Sequence, residues 1–187
     1  MLTSTTAPTA QSTRSALGDL VAAIARAIDT TTAEQLPLAV CDALRDHLPA
    51  AGLLSAEQRK GQAERYTRHI LYAHPQGLFT VMALVWRPGQ YTPVHGHFTW
   101  CSYFIMEGDM HEEHFAWNPA TQCATLHGYV DRPQGDAAAS HAGMDQIHRL
   151  RNASDETAIS IHVYGVDGPR VATHVNRIAE LAPSQSQ

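Results

Sequence analysis

The sequence predicts a mainly β protein, a jelly-roll barrel with an N-terminal helical layer. Two observations carry the prediction. From Tyr66 onward, short apolar or alternating segments recur with Gly, Pro, Asn and Asp between them, as in a sandwich or barrel rather than an α/β sheet. Before Tyr66 the apolar residues instead recur every three or four positions, the spacing of one helix face.

Leu17, Leu20, Val21, Ile24 and Ile28 form the first helical stripe. Asp29-Thr30-Thr31-Thr32 breaks it, and Thr31 with Glu34, or Thr32 with Gln35, offers a capping box for a second helix that runs to about Leu48. Ser55-Ala56-Glu57-Gln58 offers a cap for a third short turn. Strands are expected over 66–73, 78–86, 93–97, 101–107, 110–117, 121–130, 146–151 and 157–164. The expected organisation is one domain over 15–182, with helices in 15–60 and the barrel in 64–178. A disordered tail at 1–14 and a polar tail at 183–187 flank it.

The bulk properties exclude several classes. Of 187 residues, 44% are hydrophobic and 17% charged, as in an ordinary globular protein. A net charge of -5 and the lack of a Lys/Arg cluster argue against a nucleic-acid surface. The longest apolar runs, such as Leu78 to Trp86, have strand length, so no membrane span is expected. The N-terminus lacks the apolar core of a secretory signal, and a cytoplasmic monomer or small homo-oligomer is expected. Cys41, Cys101 and Cys123 are odd in number without paired spacing, which argues against a disulfide framework. Cys41 and Cys123 are expected as buried apolar residues.

Chemistry concentrates in Gly89-Gln90-Tyr91-Thr92-Pro93-Val94-His95-Gly96-His97. Residues i and i+2 of a strand share a face, so His95 and His97 can hold one metal ion. His148 is the third candidate ligand. Gly-x5-His-x-His followed by His148-x3-Asn152 resembles the paired motifs of the cupin superfamily. The usual motif then places a metal-binding Glu where this chain has Cys101, with six residues between it and Gly108. Three neutral imidazoles leave the full charge on a divalent ion and leave positions open for anionic ligands. Zinc would suit such a site as well as iron. Ser160-Ile161-His162-Val163-Tyr164 sets three polar side chains on one strand face, with Ile161 and Val163 on the other.

His95-x-His97, Cys101, His148-Arg149-x-x-Asn152 and Ser160-x-His162-x-Tyr164 together resemble the cysteine dioxygenases, the thiol dioxygenases among the cupins. Tyr66-x-Arg68 and Trp86-x-Pro88-Gly89-Gln90-x-Thr92-Pro93 are similar to that family as well, over roughly residues 64–175. The resemblance implies non-haem Fe(II) on His95, His97 and His148, with a small thiol and dioxygen as the reacting partners. It implies Arg68 as anchor for the substrate carboxylate, with Tyr66 beside it. Members that use 3-mercaptopropionate usually carry Gln there. It further implies a Ser160-His162-Tyr164 relay that places the Tyr164 hydroxyl at the metal. In animal members the cysteine matching Cys101 forms a thioether with the tyrosine matching Tyr164, whereas bacterial members mostly carry Gly.

The chain departs from the family at Gly96, where the usual residue is Asp. Metal ligation is expected to survive, with the loss of a carboxylate behind the site. Arg170 is a rival anion ligand. His111 and His114 are expected on opposite strand faces, and Glu112 and Glu113 between them read as solvent-facing. Three functions remain open: a dioxygenase of L-cysteine, the same chemistry on 3-mercaptopropionate, mercaptosuccinate or another mercapto acid, and a non-catalytic metal-binding cupin.

Overall fold

In a computed structural model of the chain, which describes residues 10–50 and 52–183, two β-sheets enclose the interior of a barrel. The first is five-stranded: β1 (Thr67–Ala73), β2 (Thr80–Trp86), β9 (Ala158–Tyr164), β4 (Cys101–Glu107) and β7 (Ala137–Ser140), in that spatial order. The second is six-stranded: β10 (Asn176–Ile178), β3 (His95–His97), β8 (Gly143–Asn152), β5 (Met110–Asn118), β6 (Cys123–Arg132) and β11 (Glu180–Leu181). Pairing is antiparallel except between β11 and β6. This is the mainly β jelly roll that the turn spacing predicts.

Alternation decides what each face touches. Met82, Leu84, Trp86, Tyr103 and Ile105 point from the first sheet into the barrel, where they meet Met110 and Leu150 of the second. The opposite face presents Val81, Ala83, Val85, Phe104, Ile159, Ile161 and Val163 to the helices. Strands β2 and β9 are therefore buried at every position, which explains their nearly continuous apolar sequence.

The helical layer is α1 (Ala10–Thr30) and α2 (Leu36–His47), followed by a 3-10 turn at Gln58–Lys60. Leu20 and Ile24 of the predicted stripe are buried, with Val40 and Leu44 of α2 in the same core. Ser102 Oγ donates to the Pro37 carbonyl at 2.7 Å and Arg45 Nη2 to the Ala137 carbonyl at 3.0 Å, tying α2 to β4 and β7. No helix among the described residues is long and apolar enough to cross a membrane.

Several local expectations change. The first helix begins at Ala10, inside the stretch read as a tail, and residues 1–9 and 184–187 lie outside the described residues. Helix α2 starts with Pro37 in its first turn and no side-chain cap. Thr32 Oγ1 accepts only a long bond from the Gln35 N–H, at 3.4 Å. The reciprocal pair forms instead at the 3-10 turn, where Ser55 N–H donates to Gln58 Oε1 at 2.9 Å and Gln58 N–H to Ser55 Oγ at 3.2 Å. Cys41 is buried as expected, but Cys123 at the start of β6 is only half-buried.

Candidate metal centre

His95 and His97 leave β3 on one side, and the β3–β8 register sets His95 opposite His148. The three are 4%, 2% and 5% exposed. Their ring centroids lie 4.6–5.0 Å apart, and one ligand nitrogen from each lies within 4.8 Å of the others. Burial, reinforced by His148, lowers His95 to about 3 and His97 to about 2. Both rings are therefore neutral and keep a lone pair for a metal.

The outer nitrogens orient the rings. Nδ1 of His95 donates to the Pro93 carbonyl at 2.8 Å, and Nδ1 of His148 to Glu112 Oε1 at 2.6 Å. Each bond turns the remaining nitrogen inward. His148 Nε2 is buried without any hydrogen-bond partner, a state that costs about 1–3 kcal/mol for a polar atom. A divalent metal ion fits this donor set and satisfies that atom.

The missing carboxylate at position 96 has a steric cause. The β3–β8 register shifts between His95 and His97, and a Cβ at Gly96 would lie 2.3 Å from the Gly143 carbonyl oxygen. No side chain fits there. The reading of Glu112 and Glu113 as solvent-facing is corrected for Glu112, which is 3% exposed. Glu113 pairs with Arg149 on the other face. Burial alone would raise the Glu112 carboxyl. Hydrogen bonds from His114 and His148 and the charge of Arg132 override it and hold the group below the usual carboxylate range.

Ser160, His162 and Tyr164 point from β9 into the same interior as one chain of contacts. Ser160 Oγ lies 2.8 Å from His162 Nε2, and Tyr164 Oη lies 3.1 Å from His162 Nδ1. Trp86 Nε1 donates to Ser160 Oγ at 2.9 Å. His162 is lowered to about 3 by burial and by His148, and burial pushes Tyr164 well above its usual value. One small cavity is lined by Tyr66, Arg68, His95, His97, Cys101, His148, His162 and Tyr164.

Residues 56–175, well over half of the chain, match the family model of cysteine dioxygenase type I. The chain belongs to the cysteine dioxygenase type I family. Among solved structures it is similar to TT1209 from Thermus thermophilus, with 19% identity over 60% of this chain and 96% of that one, TM-score 0.45. A double-stranded β-helix protein from Klebsiella pneumoniae subsp. pneumoniae gives 17%, 62%, 84% and 0.47 for the same quantities. A cupin superfamily protein from Desulfitobacterium hafniense gives 11%, 57%, 83% and 0.42.

In this cysteine dioxygenase family member, Arg68 stands at the cavity mouth. Its Nη2 donates to the Tyr66 hydroxyl at 2.8 Å, and the Tyr66 ring stacks on Trp86 at 4.3 Å between centroids. Arg170 is elsewhere: its side chain is 58% exposed and pairs with Asp167 at 2.9 Å. The rival anion ligand is thereby removed from the cavity. Sequence reasoning missed Glu112, the link from Trp86 to Ser160, and the lining contributed by Leu84, Thr92, Leu150 and Asn176. The alternation of β5 carried the signal for Glu112, since Met110 and Glu112 share a face and Met110 is apolar.

Proposed function

We propose that the chain is an Fe(II)-dependent thiol dioxygenase that converts L-cysteine to cysteine sulfinate. The observation that carries this reading is one small cavity in which three histidines, a hydrogen-bonded tyrosine and an arginine meet. Iron held by His95, His97 and His148 would supply a Lewis acid that ionises the substrate thiol and a redox centre for dioxygen.

The protein's part is positioning and proton placement. An indole N–H only donates, so Ser160 Oγ accepts from Trp86 and turns its own proton to His162 Nε2. His162, neutral at working pH, then carries its proton on Nδ1 and donates it to the Tyr164 oxygen. The Tyr164 O–H is left to donate to Cys101 Sγ or into the cavity. A phenol held this way stabilises negative charge developing on oxygen beside the metal. The remaining N–H groups of Arg68 are oriented for a carboxylate by the contact with Tyr66, and guanidinium stays charged at any working pH.

Because Arg68 recognises a carboxylate and not an amine, 3-mercaptopropionate and mercaptosuccinate are the competing substrates. The test is thiol loss and product mass when iron-loaded protein meets L-cysteine, 3-mercaptopropionate and mercaptosuccinate in parallel. Sulfinate formed fastest from L-cysteine is the expected result. Faster turnover of either mercapto acid moves the assignment to that substrate, and bound iron with no thiol consumed overturns the catalytic reading.

A further inference from the structure

Two positions that would bring a carboxylate to this metal centre have lost it: Cys101 occupies the ligand position of the usual motif, and Gly96 has no room for a side chain. A carboxylate nevertheless reaches the site from a third element. In the β5–β8 register His114 lies opposite His148, and Glu112, two residues before His114 on the same face, reaches diagonally to His148 Nδ1. We propose that Glu112 is the positioning carboxylate of this metal centre, fixing His148 with Nε2 inward and lending negative charge to the metal through the imidazole.

The surroundings show a carboxylate built to stay in place. Its second oxygen, Oε2, accepts from Arg132 Nε at 2.8 Å and pairs with the charge on Nη2 at 2.7 Å. Arg132 is held in turn by Asp136 at 3.0 Å, and His114 Nε2 approaches Oε2 at 3.5 Å. A buried ion pair with Arg132 alone would use this oxygen and leave Oε1 free. Here Oε1 is spent on His148. The three ligands are consequently unequal. His95 leans on a neutral carbonyl, whereas His148 leans on a carboxylate, which makes its inward nitrogen the more basic donor.

The inference rests on the metal-site reading, and metal binding alone tests it without any thiol or turnover. Apo-protein is titrated with Co(II) against a competing chelator, and the visible spectrum of the Co(II) form is recorded for wild type, Glu112→Gln and the charge-balanced pair Glu112→Gln with Arg132→Gln. The expected result is Co(II) affinity weaker by about 10–100-fold in both variants, with shifted ligand-field bands and an apo-protein melting curve close to wild type in the paired variant. Affinity within about twofold of wild type and an unchanged spectrum in either folded variant would overturn the proposal. Should neither variant fold, nitrogen-correlated NMR of the wild-type Zn(II) form decides. A His148 proton on Nδ1, hydrogen-bonded and slow to exchange, supports the proposal, and a proton on Nε2 overturns it. Wild-type protein that binds no Co(II) removes the metal site itself, an outcome distinct from failure of the Glu112 assignment.

Discussion

Cys101 and Tyr164 lie directly opposite each other across the β4–β9 pair, and both side chains line the metal cavity. Burial pushes both groups well above their usual pKa values, so both are protonated at neutral pH. Oxidation beside the metal can join Sγ to the phenol ring as a thioether, each partner losing one hydrogen atom and the two electrons passing to dioxygen. The expected outcome is a species lighter by two hydrogen atoms after iron-loaded protein is exposed to thiol and air, with Cys101 and Tyr164 in one linked peptide. The Cys101→Ala variant forms no such species. A wild-type mass that stays constant through many turnovers would show that the pair only packs.

The hydrogen-bond chain from Trp86 to Tyr164 makes a graded prediction. Tyr164→Phe lowers kcat by about 100-fold, the scale of a lost proton donor. Ser160→Ala and Trp86→Phe each remove one link and lower kcat about tenfold, the scale of one hydrogen bond, with KM nearly constant. Trp86→Phe keeps an aromatic ring under Tyr66, so carboxylate binding survives it. Steady-state kinetics on the three variants check the order, and a Trp86→Phe enzyme with wild-type kcat would contradict the chain.

Arg68 separates binding from chemistry. Arg68→Gln is expected to raise KM for L-cysteine about tenfold or more, through loss of a charge-assisted hydrogen bond, with a smaller fall in kcat. Cysteamine has no carboxylate, and its kinetics change little. Equal losses for the two thiols would place Arg68 outside the substrate contact.

His162 predicts how the apo-protein responds to acid. In the unfolded chain its imidazole binds a proton below about pH 6.5, and in the fold only below about 3. Between those values the unfolded state holds one more proton, so lowering the pH favours unfolding by ~1.4 kcal/mol per unit from this residue. Denaturant midpoints of apo wild type and His162→Gln, measured at pH 6 and 4, check it. The variant loses less stability over that interval, and identical losses would show that His162 is not buried neutral.

How much of this was legible follows from which residues announce themselves. Strand β4 was bounded to the residue and β9 to within one, because each combines an apolar run with polar side chains at alternate positions. Strand β7 went unseen, since its alanines show neither alternation nor β-propensity. The short strands β10 and β11 have too few residues to show a period. The three histidines stood out through i, i+2 spacing and the His148 motif. Glu112 did not, because adjacent glutamates between two histidines look like a solvated surface. Its partner Arg132 comes from elsewhere in the chain, and only the β5–β6 and β5–β8 pairings bring Arg132 and His148 to it.

The proposed reaction transfers both atoms of dioxygen to one sulfur in this cavity. Single turnover of the iron-loaded protein under oxygen-18 gas, with the thiol product weighed by mass spectrometry, tests it most directly. The expected product is a sulfinate that carries both labelled atoms, with the label absent when only the water is enriched. A product that takes one oxygen from water, or a disulfide with no oxygen gained, would contradict it.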